Sequence, residues 1–241
     1  DADWAVRLAA PFLHTITAMM LGLTAARLFD ARVGAFTALG WATMPAVWLS
    51  STIISTDAVL MAGFSTALYA LVRLREGPDW RFAILLGAAA GYAFLSKYAA
   101  IYLLIGLAIS AVIDAPSRRA LISLQGAAVS HTAANANWSG TLFHPEELAD
   151  FLSGQLGVFG PVFFIILIAA VISAFRTTTL EWNRARPRLM LAAFSLPVLI
   201  IVAAQAFISR AHANWAASAY LTGLILVIAF LLQGPAWRRW A

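Results

Sequence analysis

The chain has 241 residues, of which 62% are hydrophobic and only 11% charged, and its mean hydropathy is +0.82. A soluble domain carries about 25% charged residues, so a water-soluble fold is excluded. The net charge of +5 suggests nucleic acid at first sight, but the placement of the basic residues argues against it, and with no cysteine there are no disulfides or thiolate metal sites.

A membrane-crossing helix needs about 20 largely apolar residues. Tested against that length, the chain predicts spans at about Leu8–Ala26, Val33–Ser51, Ala58–Val72, Phe82–Leu95, Tyr98–Ile113, Leu156–Phe175, Leu189–Ile208 and Trp215–Leu232. Asp1 to Arg7 is polar and acidic, unlike the basic start of a signal peptide, so the chain is expected to begin after an earlier span. Phe82 to Ile113 must be two helices, because one helix would run roughly 48 Å with Lys97 stranded in mid-membrane.

Lys and Arg collect in cytoplasmic loops. Here Arg27 and Arg32, then Arg73, Arg75 and Arg81, then Arg118 and Arg119, then Arg176 to Arg188, and finally Arg238 and Arg239 occupy alternate loops. Of the 16 basic residues only Arg7, Lys97 and Arg210 fall on the other side. The basicity therefore reports topology, and all the unusual polar residues are expected on the external face. The parity breaks once. Ala120–Ser130, roughly 17 Å of helix, is too short to cross between Arg119 and the loop at His131. A second span is therefore expected to be missing near residues 120–131. The fold expected is all-α: one polytopic transmembrane helical bundle over residues 1–241, with about eight spans visible and a first and a middle span absent.

Three external segments hold most of the candidate chemistry: Ser51 to Asp57, Ser96-Lys97-Tyr98 and Ser209-Arg210-Ala-His212-Ala-Asn214-Trp215. Beside them lies His131-Thr-Ala-Ala-Asn135-Ala-Asn137-Trp138. Ionisable groups at membrane depth are costly and so are functional candidates. Lys97 and Arg210 converging on one site would suit a phosphate at the membrane surface, Arg with paired donors and Lys as a point charge. Asp57 nearby could orient a hydroxyl or stabilise developing positive charge in glycosyl transfer. Each also has a plainer role: Asp57 as a helix N-cap, Lys97 snorkelling to the interface, Arg210 and His212 as interface residues. His14, inside an apolar span, reads as a packing residue. His131 and His144 read as loop residues, and two unpaired histidines are weak evidence for a metal. No Walker motif or GxSxG elbow is present.

The run Ser55-Thr-Asp57-Ala-Val-Leu60, then Gly87 through Phe94-Leu-Ser-Lys97-Tyr98, resembles the bacterial membrane glycosyltransferases related to protein O-mannosyltransferases (glycosyltransferase family 39, the PMT_2 group). The His131–Trp138 segment, Phe151-Leu-Ser-Gly-Gln155, Arg210–Trp215 and the opening Trp4-Ala-Val-Arg7-Leu-Ala-Ala-Pro11 are similar to that family in order and spacing. The resemblance implies a GT-C fold and an inner-membrane, multi-pass enzyme with an extracytoplasmic active face. Such an enzyme passes a sugar from a polyprenyl-phosphate donor to a glycan, lipid or protein acceptor. No nucleic acid is involved, no cofactor is required with certainty, and there is room for a divalent cation. By the same resemblance Asp57 is the catalytic candidate lining the sugar or acceptor site. Lys97, Tyr98 and Arg210 hold the donor phosphate, and His212, Asn214, His131 and Asn135 line the substrate site. The acidic pair that the family carries in its first external loop is absent, so this chain is expected to be impaired or inactive. A transporter or flippase of an anionic or lipid-linked substrate, and a noncatalytic polyprenyl-phosphate-binding subunit, remain as alternatives.

Overall fold

A computed structural model describes residues 7–122, 144–177 and 182–233, and every span-sized element among them is an α-helix. In chain order these are α1 (Ala9–Leu28), α2 (Ala31–Thr43), α3 (Pro45–Thr52), α4 (Thr56–Glu76), α5 (Trp80–Ser96), α6 (Ile101–Ile113) and α7 (Ala115–Ile122). After the break come α8 (Pro145–Phe159), α9 (Pro161–Thr177), α10 (Trp182–Ile208) and α11 (Ala219–Gln233). Short 3-10 turns at Tyr98–Ala100 and Ala213–Ala216 lead into α6 and towards α11.

α4 forms the centre of the bundle and packs against α1 and α5. It is apolar nearly all round, and Phe64, Leu68 and Leu71 are fully buried, as expected of a helix enclosed by others. Small residues let the neighbours approach closely. A methyl on Gly63 would meet the Ala89 carbonyl at 3.0 Å, and one on Gly34 would meet the Gly22 carbonyl at 2.6 Å. Close backbone approach at small residues is how membrane helices gain packing where burial against lipid adds little.

Among the described residues three helices are long and apolar enough to cross a membrane alone: Ala9–Leu28, Thr56–Glu76 and the Ala185–Ile208 part of α10; α5, Tyr98–Ile113 and α11 are shorter apolar helices. The protein is thus a multi-pass membrane helical bundle, but two of the expected spans are divided. Val33–Ser51 breaks at Met44, an extended residue before Pro45, giving α2 and α3. Pro disfavours the helical conformation in the residue before it. Leu156–Phe175 breaks at Gly160, where the chain bends by 101°. Gly160 has φ 89°, in the left-handed region, which a side chain would resist. α8 therefore runs across the bundle end, and only α9 continues as an apolar helix. The division of Phe82–Ile113 holds as expected, with Lys97 extended at the end of α5. The missing middle span would fall largely on residues 123–143, outside the described residues.

The cross-helix polar contacts gather at two ends. One end, here the lysine end, joins Asp57, Lys97 and Asn214 and ties the His144 amide to the Phe207 carbonyl. The other, the arginine end, joins Arg27 to Glu76, Asp114 to Arg75 and Arg186, and Gln233 to Asp30. α4 connects the two with 21 residues, about 30 Å of helix.

Candidate functional site

The site at the lysine end begins with how α4 starts. Ser55 is extended, and its hydroxyl accepts from the Asp57 amide at 3.1 Å. Ser55, not Asp57, is thus the N-cap, which corrects the plainer role offered for Asp57 and leaves that carboxylate free to point elsewhere. Asp57 lies in the first turn, where the helix dipole favours negative charge.

Its two oxygens are used separately. The Lys97 ammonium donates to Oδ1 at 2.6 Å, and the Asn214 amide donates to Oδ2 at 3.1 Å. Three segments distant in sequence meet at this carboxylate: the start of α4, the turn after α5 and the turn before α11. Neither partner of the ion pair is buried. The Lys97 side chain keeps 28% of its exposure and Asp57 19%. An ammonium has three donors and a carboxylate about four acceptor positions, so both retain capacity for a ligand.

Arg210 lies four residues before Asn214 on the same loop. It is exposed and has no polar partner among the described residues. Tyr98 directly follows Lys97 and is exposed, and the exposed His212 sets its ring edge-on to Trp215 at 5.5 Å. The structure brings Asp57, Lys97 and Asn214 into contact, while Arg210, Tyr98 and His212 are their near neighbours in sequence and make no contact with the carboxylate among the described residues. His131 and Asn135 lie outside the described residues. Among the described residues no three His, Cys, Asp or Glu side chains gather as metal ligands.

Two polar links in this region escaped the sequence reading. His14 is buried in α1, and its Nε2 lies 3.0 Å from the Ser50 hydroxyl at the end of α3. Gln155 in α8 is fully buried. Its amide nitrogen donates to the Phe151 and Ala213 carbonyls, and its oxygen accepts from the Tyr220 hydroxyl at 2.6 Å. The signals in the sequence were the family-like run Phe151 to Gln155 and a polar residue on an otherwise apolar helix face, four residues from both Phe151 and Phe159.

The arginine end corrects a second expectation, since the unusual polar residues are not confined to one face. Asp114, whose side chain is 1% exposed, receives Arg75 at 3.3 Å and Arg186 at 3.0 Å. The Ser117 hydroxyl donates to it as well. Burial works to raise this carboxyl's pKa, but the Ser117 hydrogen bond and the two guanidiniums outweigh it and hold it below the ordinary value. Arg75 and Arg186 are therefore part of a buried cluster and do more than set topology.

A bundle of apolar helices with a lysine–carboxylate pair and a solvent-facing arginine at one end is the arrangement of a multi-pass membrane protein with a polar site at the membrane surface. The chain belongs to the PMT_2 family: the family model, dolichyl-phosphate-mannose-protein mannosyltransferase, matches residues 1–135. The chain is similar to lipid A galacturonosyltransferase RgtD of Rhizobium johnstonii, at 29% identity over 95% of this chain and 52% of that protein. It also superposes on the crystal structure of ArnT from Cupriavidus metallidurans with a TM-score of 0.66. That match has 18% identity and covers 97% of this chain and 46% of the other, and it shows the expected GT-C fold. The chain spans about half the length of the relatives it matches.

Proposed function

We propose that this protein is a membrane glycosyltransferase of the inner membrane. It transfers a sugar from a polyprenyl-phosphate donor to an acceptor on the extracytoplasmic side. The observation that carries the reading is the partly exposed Asp57–Lys97–Asn214 cluster at a helical-bundle end, with the exposed Arg210 four residues before Asn214. Lys97 and Arg210 supply the cations for the donor phosphate, with Tyr98 beside them. Asp57 lines the sugar site, where its free acceptor positions can orient a hydroxyl or stabilise positive charge developing at the anomeric carbon. His212 and Asn214 form the opposite wall. The family match and the likeness to a lipid A galacturonosyltransferase support this class of reaction. They make a uronic-acid sugar and lipid A the first donor and acceptor to test. A transporter would place its polar residues near the middle of broken helices, whereas this cluster sits at helix ends.

The test is thermal stabilisation of the purified protein by a polyprenyl phosphate, with Lys97→Ala and Arg210→Ala beside it. A ligand at one hundred times its dissociation constant adds about 2.7 kcal/mol. Stabilisation of the parent that is lost in both variants places the phosphate on these two residues. Equal stabilisation of all three proteins refutes the assignment.

A further inference from the structure

We propose that Gln155 is a positioning residue for the site: it holds the Ala213–Asn214 peptide, and through it the Asn214 amide, on Asp57. The proposal rests on the reading of Asp57 as the sugar-site carboxylate.

The orientation of the Gln155 amide follows from its surroundings. One end faces two carbonyl oxygens, Phe151 O at 3.0 Å and Ala213 O at 3.2 Å. Carbonyls only accept, so that end is the nitrogen. The other end is then an oxygen, and the Tyr220 hydroxyl must donate to it. Three of the amide's hydrogen-bonding positions are satisfied in a fully buried setting, where an unmade bond would be expensive. The bond to Phe151 stays within α8, but the other two reach residues 58 and 65 positions away. Tyr220 is itself fixed, because its ring stacks on Phe159 at 4.3 Å with an interplanar angle of 12°.

The Ala213 carbonyl belongs to the same planar peptide unit as the Asn214 nitrogen and Cα. Fixing that oxygen fixes the plane from which the Asn214 side chain departs. Asn214 needs such help. It is exposed, and its hydrogen bond to Asp57 is exposed as well, so water competes for it and that bond alone holds the side chain weakly. α8 meets the same residue a second time: a methyl added to Gly154 would come 2.8 Å from the Ala213 Cβ. The consequence is a connected path from α8, which crosses the bundle end, to the carboxylate.

The label experiment uses this 241-residue chain, which contains no other cysteine. A nitroxide placed on Asn214→Cys reports the mobility of the turn without any substrate. Gln155→Leu should mobilise that label; an unmoved label overturns the proposal. In parallel, release of polyprenyl phosphate is followed with a polyprenyl-phosphate uronic-acid donor. Gln155→Leu should lower kcat roughly tenfold or more, as small displacements of reacting groups do, while the donor KM stays within about twofold. Added to Asn214→Ala, it should cost nothing further, because both changes remove the same contact. Losses that multiply in the double variant assign Gln155 to packing alone and overturn the role. If Gln155→Leu does not fold, Tyr220→Phe removes only the hydroxyl and keeps the ring stack. It should lower kcat in the same way, again not in the Asn214→Ala background. Asp57→Asn separates the two readings: normal transfer by that variant removes the proposed site. Lost transfer in Asp57→Asn together with full kcat in Gln155→Leu removes only the positioning role.

Discussion

At each end of α4 a carboxylate is set against basic side chains, Asp57 on α4 itself and Asp114 at the end of α6, and the two are built in opposite ways. At the arginine end Asp114 is 1% exposed and receives two guanidiniums and a hydroxyl. At the lysine end Asp57 is 19% exposed and receives one ammonium and one amide. A buried carboxylate persists only when its bonding positions are filled, and the four bonds to the Asp114 oxygens leave this first one little capacity for a ligand. It joins α4, α10 and the end of α6. The second is wet enough to remain charged with fewer partners, and its open positions are what a substrate site requires. The lesson is that charge identity does not separate a fastening from a site, but burial and bonding saturation do.

The largest effect expected is at the fastening. Asp114→Ala leaves Arg75 and Arg186 facing each other without a counter-charge, and removing one partner from a buried pair costs about 3–5 kcal/mol. Thermal unfolding in detergent should show it as a large fall in Tm, with polyprenyl-phosphate stabilisation of the surviving folded protein intact. Asp57→Asn should do the reverse. Transfer should fall about 100-fold or more, the scale of a lost acid–base or electrostatic contribution, with little change in Tm. If Asp57→Asn unfolded the protein as readily as Asp114→Ala, the distinction between the two ends would fail.

Legibility from sequence follows the same division. The lysine end was readable because lone charges next to apolar runs are costly and therefore conspicuous: Lys97 splits Phe82–Ile113, and Asp57 heads a span. The sequence suggests Lys97 and Arg210 on one site with Asp57 nearby and Asn214 in its lining. The structure joins Lys97 and Asn214 to Asp57 and gives Arg210 no contact with them among the described residues. The arginine end was opaque because a topological arginine and a buried one look alike in sequence. Arg75 and Arg186 are separated from Asp114 by 39 and 72 positions, and nothing local marks them. The bend at Gly160 was missed for a different reason. The run is apolar enough to read as continuous across Gly157, Gly160 and Pro161, and whether Gly160 takes a positive φ is decided by what the preceding helix packs against. Here α8 packs on α3, α10 and the Ala213–Ala216 turn.

A smaller effect comes from pH. The Asp114 carboxyl is held below its ordinary value in the folded protein, so its contribution to stability is fully present above the unfolded value of about 3.9. It is lost as pH falls through the lower folded value. Tm should therefore change little on this account between about pH 7 and 5 and drop below about pH 4. Asp114→Asn should flatten that drop. A drop of unchanged size in the variant would place the acid sensitivity elsewhere.

The smallest effect sharpens the comparison within the arginine end itself. Arg27 meets Glu76 at 2.8 Å, closer than either Asp114 pair, but the two side chains are 44% and 40% exposed. If distance set the strength, Glu76→Gln would be the costlier change. Exposed pairs contribute less than about 1 kcal/mol, so burial predicts a Tm shift near the limit of measurement. That shift should also vanish when ionic strength is raised towards 1 M, where screening acts within about 3 Å. The Asp114 carboxylate, only 1% exposed, should keep its effect at the same salt. An Asp114→Ala penalty that salt abolished, or a Glu76→Gln penalty that it left untouched, would mean that burial is not what separates the two kinds of pair.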